Sequence, residues 1–95
     1  MVWQVIFTDD YEEALERLVE TSEETARLAQ AVVQRASTYP EDEPRLEGLR
    51  IRVTEEHSTD GLSSVRLFYF VEDDHVYLAH IEQYDDYEDE AVEAD

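Results

Sequence analysis

Two apolar stretches separated by a short acidic segment constrain the fold of this chain more than any other feature. Residues 65–71 and 75–81 are rich in β-branched and aromatic side chains, and the three residues between them, 72–74, are all acidic. This pattern predicts a β-hairpin, because two strand-forming segments flank a short segment that favours a turn. We expect the two strands over about 64–72 and 75–83.

A single arginine, Arg66, lies within the first strand of this predicted hairpin. An unpaired guanidinium is costly to bury, so the sequence allows two interpretations. Arg66 either pairs with a nearby carboxylate or lies on an open sheet face where it meets an anion.

The remaining segments predict a strand, two helices and another strand before the hairpin. Residues 2–7 are apolar on both faces of a strand, and amphipathic helices are expected over about 10–20 and 22–37. Residues 49–53 alternate between apolar and basic side chains as a strand does, and a loop is expected over 55–63. The order β-α-α-β-β-β predicts an α+β domain, with a mostly antiparallel sheet and a helical hairpin packed on one face.

The strand at 49–53 places two further arginines beside Arg66. If its apolar residues point to the helices, Arg50 and Arg52 project from the other face, together with Arg66 and aromatic rings. Three guanidiniums on one face suit phosphate binding, and nearby rings suit stacking with bases. The alternative is that these arginines neutralise the many carboxylates of the chain.

The composition restricts the class of protein. Ninety-five residues form one small domain, expected over 1–88, with an acidic tail at 89–95 that is frayed or disordered. The chain has no cysteine, which excludes disulfides, thiol nucleophiles and cysteine-bound metals. Neither a signal peptide nor an apolar run of roughly 18 residues is present, so we expect a cytoplasmic protein.

The charge balance is extreme, with 26 acidic residues against seven arginines, no lysine and a net charge of −19. One explanation is a salt-rich host, where an acidic surface stays solvated and its repulsion is screened. The other is functional, as in a protein that mimics nucleic acid or captures a basic partner. The acidic residues are spread along the chain rather than concentrated in one block, which favours the first explanation.

The order of elements and three local patterns resemble the RelE/ParE-type toxin superfamily. The patterns are WQVIFT at 3–8 before an acidic helix, LEGLRIRV at 46–53, and VRLFYFV at 65–71 before the acidic turn. The resemblance spans about 2–88 and implies a toxin-type domain that acts as a metal-independent, ribosome-associated mRNA endonuclease. A non-catalytic interaction domain of the same fold is the alternative: a ParE-like inhibitor, a degenerate relative or an acidic nucleic-acid mimic.

The resemblance also implies roles for individual residues. Arg66 matches the arginine that this superfamily uses on its penultimate strand. Tyr84 or Tyr87 could stand for its aromatic residue after the last strand, and Tyr84 is here the candidate acid. Arg50 and Arg52 would hold phosphates. The basic residues expected after the last strand are replaced by EQYDDY at 82–87. The implied partners are an antitoxin protein and ribosome-bound mRNA, and we expect no membrane partner, metal or small-molecule cofactor.

Overall fold

The computed structural model describes residues 3–20, 23–46, 48–58 and 63–85. Within these ranges the elements follow the predicted order: β1 (Gln4–Phe7), α1 (Asp9–Val19), α2 (Glu23–Thr38), β2 (Arg52–His57), β3 (Ser63–Glu72) and β4 (His75–Asp85).

The four strands form one sheet in the order β1-β4-β3-β2. β1 pairs with β4 in parallel, and the other two pairings are antiparallel, so the predicted α+β architecture is confirmed. Both helices contribute to the buried core on one side of the sheet. The most deeply buried apolar side chains of the sheet, each at most 1% exposed, are Val65, Leu67, Tyr69, Val76, Leu78 and Ile81.

The hairpin between β3 and β4 closes through two residues in the left-handed backbone conformation. Asp73 and Asp74 have φ angles of 50° and 66°, as a two-residue type I′ turn requires. Asp is among the few residues other than glycine that tolerate this conformation. The predicted acidic turn is therefore confirmed, with strands matching the expected ranges to within two residues.

Thr8 joins β1, α1 and β4. Its hydroxyl accepts a hydrogen bond from the backbone N–H of Tyr11 at 3.2 Å, which caps the first turn of α1. The same hydroxyl donates to the carbonyl oxygen of Leu78 at 2.7 Å. The start of α1 is thus fixed to the middle of the sheet.

The predicted strand at 49–53 is wrong by about three residues, because a turn occupies its first half. The N–H of Leu46 donates to Ile51 O at 2.8 Å and that of Leu49 to Leu46 O at 2.9 Å, while Gly48 has a φ of 77°. β2 therefore begins only at Arg52 and continues to His57, through residues predicted to be a loop.

This shift reverses which residues of β2 face the helices. Thr54 is 1% exposed and lies opposite the buried Leu67, so Arg52, two residues away, shares the helix-facing side. Val53 instead lies opposite Phe68 on the other side. The expectation that the apolar residues of 49–53 point to the helices is wrong.

The expected domain boundary at 88 and the tail at 89–95 lie outside the described residues and stay predictions. No helix in the described ranges is long and apolar enough to cross a membrane.

Candidate active site on the open face of the sheet

The sheet face turned away from the helices, called the open face below, carries alternate residues of β2, β3 and β4. Its side chains combine charge, imidazole and aromatic rings: Glu55, His57, Arg66, Phe68, Phe70, Tyr77, His80, Glu82 and Tyr84. Those of β2 and β3 alternate with residues that face the core, and on β4 a register shift leaves two residues between Tyr77 and His80. The face therefore concentrates groups that can transfer protons and bind anions.

Arg66 occupies the centre of this face, between strands on both sides. It lies directly opposite Glu55 on β2, and its Nε donates to Glu55 Oε2 at 2.5 Å. Its guanidinium carbon lies 4.2 Å from the centre of the Tyr84 ring, which is within cation–π range. The Arg66 side chain keeps 34% of its surface exposed, so solvent or a ligand can still reach it.

The other oxygen of the same carboxylate contacts an imidazole. His57 Nε2 lies 3.1 Å from Glu55 Oε1, two residues further along β2. Glu55 is thus held between a guanidinium and a histidine, with its side chain 32% exposed. A carboxylate beside an imidazole is an arrangement suited to general acid–base chemistry.

The neighbouring strand contributes a second carboxylate and a second histidine. Glu82 lies opposite Arg66 on β4, and His80 Nε2 lies 3.6 Å from Glu82 Oε2. The His80 ring is 5.9 Å from that of Phe68, between ring centres. Arg66 therefore has a carboxylate-bearing residue opposite it on each adjoining strand.

A side chain from the core side fixes the strand that carries Glu55. Arg35 of α2 donates through Nη1 to the backbone oxygen of Glu55 at 2.7 Å and to Thr54 Oγ1 at 3.2 Å. It also forms an ion pair with Glu56. These contacts hold β2 against the helix, and so set the direction in which Glu55 projects towards Arg66.

Arg50 lies on the open face but away from Arg66. Its guanidinium carbon is 5.1 Å from the centre of the Phe70 ring, and its Nη1 lies 2.8 Å from Glu72 Oε2. Phe70 is four residues beyond Arg66 on β3, a spacing of about 13 Å along a strand. Arg50 therefore lies at the end of the face next to the β3–β4 turn, and Arg66 lies at its centre.

Arg52 lies on the helix-facing side, opposite Tyr69, and donates through Nη1 to the backbone oxygens of Glu41 and Glu43. The prediction that all three arginines share one face is therefore wrong, because the displaced start of β2 reverses the side of Arg52. The assignment of Arg50 and Arg52 to phosphate binding stays a prediction, as does that of Arg66 and Tyr84 to catalysis.

In the part of the chain that the structure describes, no three His, Asp or Glu side chains lie close enough together to hold a metal ion.

Known proteins resemble this chain in structure rather than in sequence. No protein-family model and no curated protein sequence matches the chain. Among solved structures, the E. coli toxin RelE, in a variant with two arginines replaced by alanine and in the free state, superposes with a TM-score of 0.58. It is 19% identical, and the match covers 99% of this chain and 93% of RelE. The chain has the RelE/ParE-type toxin fold.

A second solved structure, the YoeB dimer from Staphylococcus aureus, superposes with a TM-score of 0.49 at 15% identity, over 84% of this chain and 94% of YoeB. The RelE comparison carries the fold assignment, and it confirms the fold that the resemblance of the sequence implied.

Within this RelE/ParE-type fold, two site residues were missed in the sequence, Glu55 and His57, because they were assigned to a loop. The sequence gives little signal for them, because Thr54, Glu55, Glu56 and His57 are all polar and the apolar–polar alternation ends at Val53. Tyr84 was expected after the last strand, but it belongs to β4 and lies opposite Ser64. This position brings its ring to Arg66.

Proposed function

We propose that this domain is a toxin-type RNA endonuclease that cuts mRNA on the ribosome and is restrained by an antitoxin. The observation that carries the proposal is the contact of Glu55 with both Arg66 and His57, at 2.5 Å and 3.1 Å, on an open face of a RelE/ParE-type fold. A carboxylate, an imidazole and a guanidinium together supply what cleavage through the ribose 2′-hydroxyl needs.

In the proposed reaction the 2′-oxygen attacks the adjacent phosphorus while the Glu55 carboxylate accepts the 2′-hydroxyl proton. The bond from phosphorus to the 5′-oxygen of the next nucleotide breaks, leaving a 2′,3′-cyclic phosphate and a 5′-hydroxyl. Arg66 stabilises the negative charge that develops on the phosphoryl oxygens. The contact between Arg66 and Glu55 holds the carboxylate that accepts the proton beside the guanidinium that stabilises the charge.

The 5′-oxygen must receive a proton as it leaves. Tyr84 is the donor we favour, because its ring lies against the Arg66 guanidinium. His57 is the second candidate, since histidine exchanges protons readily near neutral pH and this one contacts Glu55. Tyr84→Phe separates the two, because it removes only the phenolic proton: a slower chemical step would support Tyr84, and an unchanged rate would leave His57 as the donor.

The test is cleavage of ribosome-bound mRNA by purified protein. We expect Glu55→Gln and Arg66→Ala each to lower the cleavage rate by about a hundredfold or more. Glu24→Gln is the matched control, because Glu24 also pairs with an arginine, Arg27 at 3.9 Å, but lies on α2 rather than on the open face. A wild-type protein that cuts no mRNA, or a Glu55→Gln variant that cuts as fast as the control, would contradict the proposal.

A non-catalytic interaction domain is the second candidate, and one observation favours it. Arg66 and Arg50 each contact a carboxylate, in a chain whose net charge is −19. Such a domain would bind a basic partner rather than RNA. It predicts no cleavage by the wild type, and salt-sensitive binding to a basic peptide such as oligoarginine.

The proposal also includes a cytoplasmic location and a salt-rich host. Action on ribosome-bound mRNA requires a cytoplasmic protein, and the acidic composition suits a cytoplasm rich in salt.

A further inference from the structure

A column of stacked groups occupies the end of the open face next to the β3–β4 turn. The rings of Phe70 and Tyr77 stack with their centres 4.7 Å apart and their planes 10° apart. His75 continues the column beyond Tyr77 at 6.1 Å, and the Arg50 guanidinium lies over Phe70 at 5.1 Å. Phe70 and Tyr77 are only partly buried.

We propose that this column is a second RNA-binding subsite, which stacks an unpaired nucleobase at its Arg50–Phe70 end. The inference rests on the endonuclease proposed above and names a contact that the reaction itself does not need. Because Phe70 is about 13 Å from Arg66 along β3, the stacked base lies a few nucleotides from the bond that is cut.

A nucleobase fits this end of the column better than a phosphate does. Base stacking on aromatic rings and on guanidinium planes is a general mode of single-strand recognition. Arg50 contacts Glu72 through Nη1 at 2.8 Å, at the edge of its guanidinium rather than on its face. The plane of the guanidinium, with 64% of the Arg50 side chain exposed, is still available for stacking.

The subsite is also continuous with the Arg66 cluster. Arg66, Phe68 and Phe70 are successive open-face residues of β3, so one strand connects the reacting position to the column. A single-stranded RNA lying along this strand would meet both. The occupant is therefore a base of the same RNA molecule that is cut.

The charge of the protein gives this subsite an unusual salt dependence. Most nucleic-acid-binding proteins lose affinity with added salt, because cations released from the phosphates drive their binding. Here a net charge of −19 repels the phosphates, and the Debye length falls from about 10 Å at 0.1 M salt to about 3 Å at 1 M. Stacking is not screened, so affinity for single strands should rise with salt.

The test uses a short single-stranded DNA that carries the fluorescent base 2-aminopurine. Because DNA lacks the 2′-hydroxyl, the strand cannot be cut by the proposed reaction. Binding is measured from stacking-induced quenching at 0.1 M and 2 M KCl. We expect tighter binding at 2 M, and a loss of affinity of about tenfold for Phe70→Leu and for Tyr77→Leu. Phe7→Leu is the matched control, because Phe7 is 53% exposed but stacks on Tyr11 of α1.

The melting temperature of each variant at 2 M KCl shows that it is folded. Arg50→Gln removes the guanidinium from the column without changing a strand residue, and it should also weaken binding. Affinity that falls with salt would overturn the inference, as would binding by Phe70→Leu, Tyr77→Leu and Arg50→Gln that equals binding by Phe7→Leu.

The quenching and cleavage experiments distinguish failure of the subsite proposal from failure of the endonuclease proposal. Salt-strengthened quenching that depends on Phe70 and Tyr77, without cleavage of mRNA, would support the subsite and reject the endonuclease. Cleavage by the wild type, with quenching unaffected in the Phe70 and Tyr77 variants, would reject the subsite alone.

Discussion

The two faces of this sheet are built from alternate residues of the same strands, yet they differ in almost every physical property. On β3, the helix-facing Val65, Leu67 and Tyr69 have no exposed surface, whereas Arg66 and Phe68 on the open face are partly exposed. The first set excludes water, and the second offers charge and rings to a ligand. Stability and proposed function are therefore separated along one strand by a spacing of a single residue.

The arginines of the two faces show the same contrast. Arg35, on the helix side, donates to a backbone oxygen and a hydroxyl and pairs with Glu56, so its contacts lie within the protein framework. Arg66, on the open face, contacts a carboxylate and a tyrosine ring that a substrate could also use. The surroundings of an arginine, rather than its presence, distinguish a structural role from a proposed catalytic one.

The largest effect on stability should come from the helix-facing side of β3. Leu67→Ala creates a cavity in a fully buried position and should lower the free energy of unfolding by about 2–5 kcal/mol. Phe68→Ala, at the next residue but on the open face, should cost less. Urea denaturation of both variants at one salt concentration measures the difference, and equal losses would remove the distinction between the faces.

Alkaline pH should lower the stability of the folded protein through Tyr69, which lies on the helix-facing side of β3. Burial, with the nearby negative charge of Glu43, raises the pKa of Tyr69 from 10.0 to about 12. Its hydroxyl also donates to Pro40 O at 2.9 Å. Since the unfolded chain ionises at a lower pH than the folded one, this contribution to stability is complete below pH 10.0 and is lost as pH rises to about 12.

The shift corresponds to about 2–3 kcal/mol of unfolding free energy. Comparison of wild type with Tyr69→Phe by urea denaturation between pH 9 and 12 checks it, because the variant lacks the titrating group. Identical pH profiles of the two proteins would contradict the prediction.

Substitution of Arg35 should mainly lower stability, whereas substitution of Arg66 should mainly abolish activity. Arg35→Gln removes donors from Thr54 Oγ1 and from the Glu55 carbonyl, and should lower the free energy of unfolding by about 1–3 kcal/mol. Arg66→Gln should change stability less while abolishing RNA cleavage. Thermal unfolding and cleavage rates of both variants give the comparison, which fails if Arg66→Gln is the less stable of the two.

The smallest predicted effect is that of salt on the acidic helices. Three glutamates of α1 and its C-cap lie at four-residue spacing: Glu12, Glu16 and Glu20. Like charges at this spacing destabilise a helix by about 0.2–0.5 kcal/mol per pair. Screening of this repulsion in molar KCl should raise the melting temperature by about 2–8 °C. A melting temperature that is flat from 0.1 M to 2 M KCl would instead favour functional mimicry as the reason for the acidity.

The hairpin and its turn were predictable because their signals are local. Apolar runs on each side of Asp73 and Asp74 determine both strands and the turn, and the structure agrees with each. The fold class follows from the order of elements, which amphipathic periodicity also reveals. No contact between distant residues is needed for these steps.

The position of β2 was not predictable in this way. The alternation of leucine, arginine, isoleucine and valine over 49–53 imitates a strand, but Gly48 closes a turn there and the register depends on distant partners. Thr54 faces the core because it lies opposite Leu67 and accepts a hydrogen bond from Arg35. The catalytic candidates Glu55 and His57 depend on that register, so they emerged only from the structure.

The central claim is that the open face cuts RNA by attack of the 2′-hydroxyl, with Glu55 and Arg66 as the reacting pair. The most direct measurement is the chemical nature of the ends that the protein leaves on ribosome-bound mRNA. We expect a 2′,3′-cyclic phosphate on the upstream fragment and a 5′-hydroxyl on the downstream one, and neither product with Glu55→Gln. A 3′-hydroxyl with a 5′-phosphate, or intact mRNA with the wild-type protein, would contradict it.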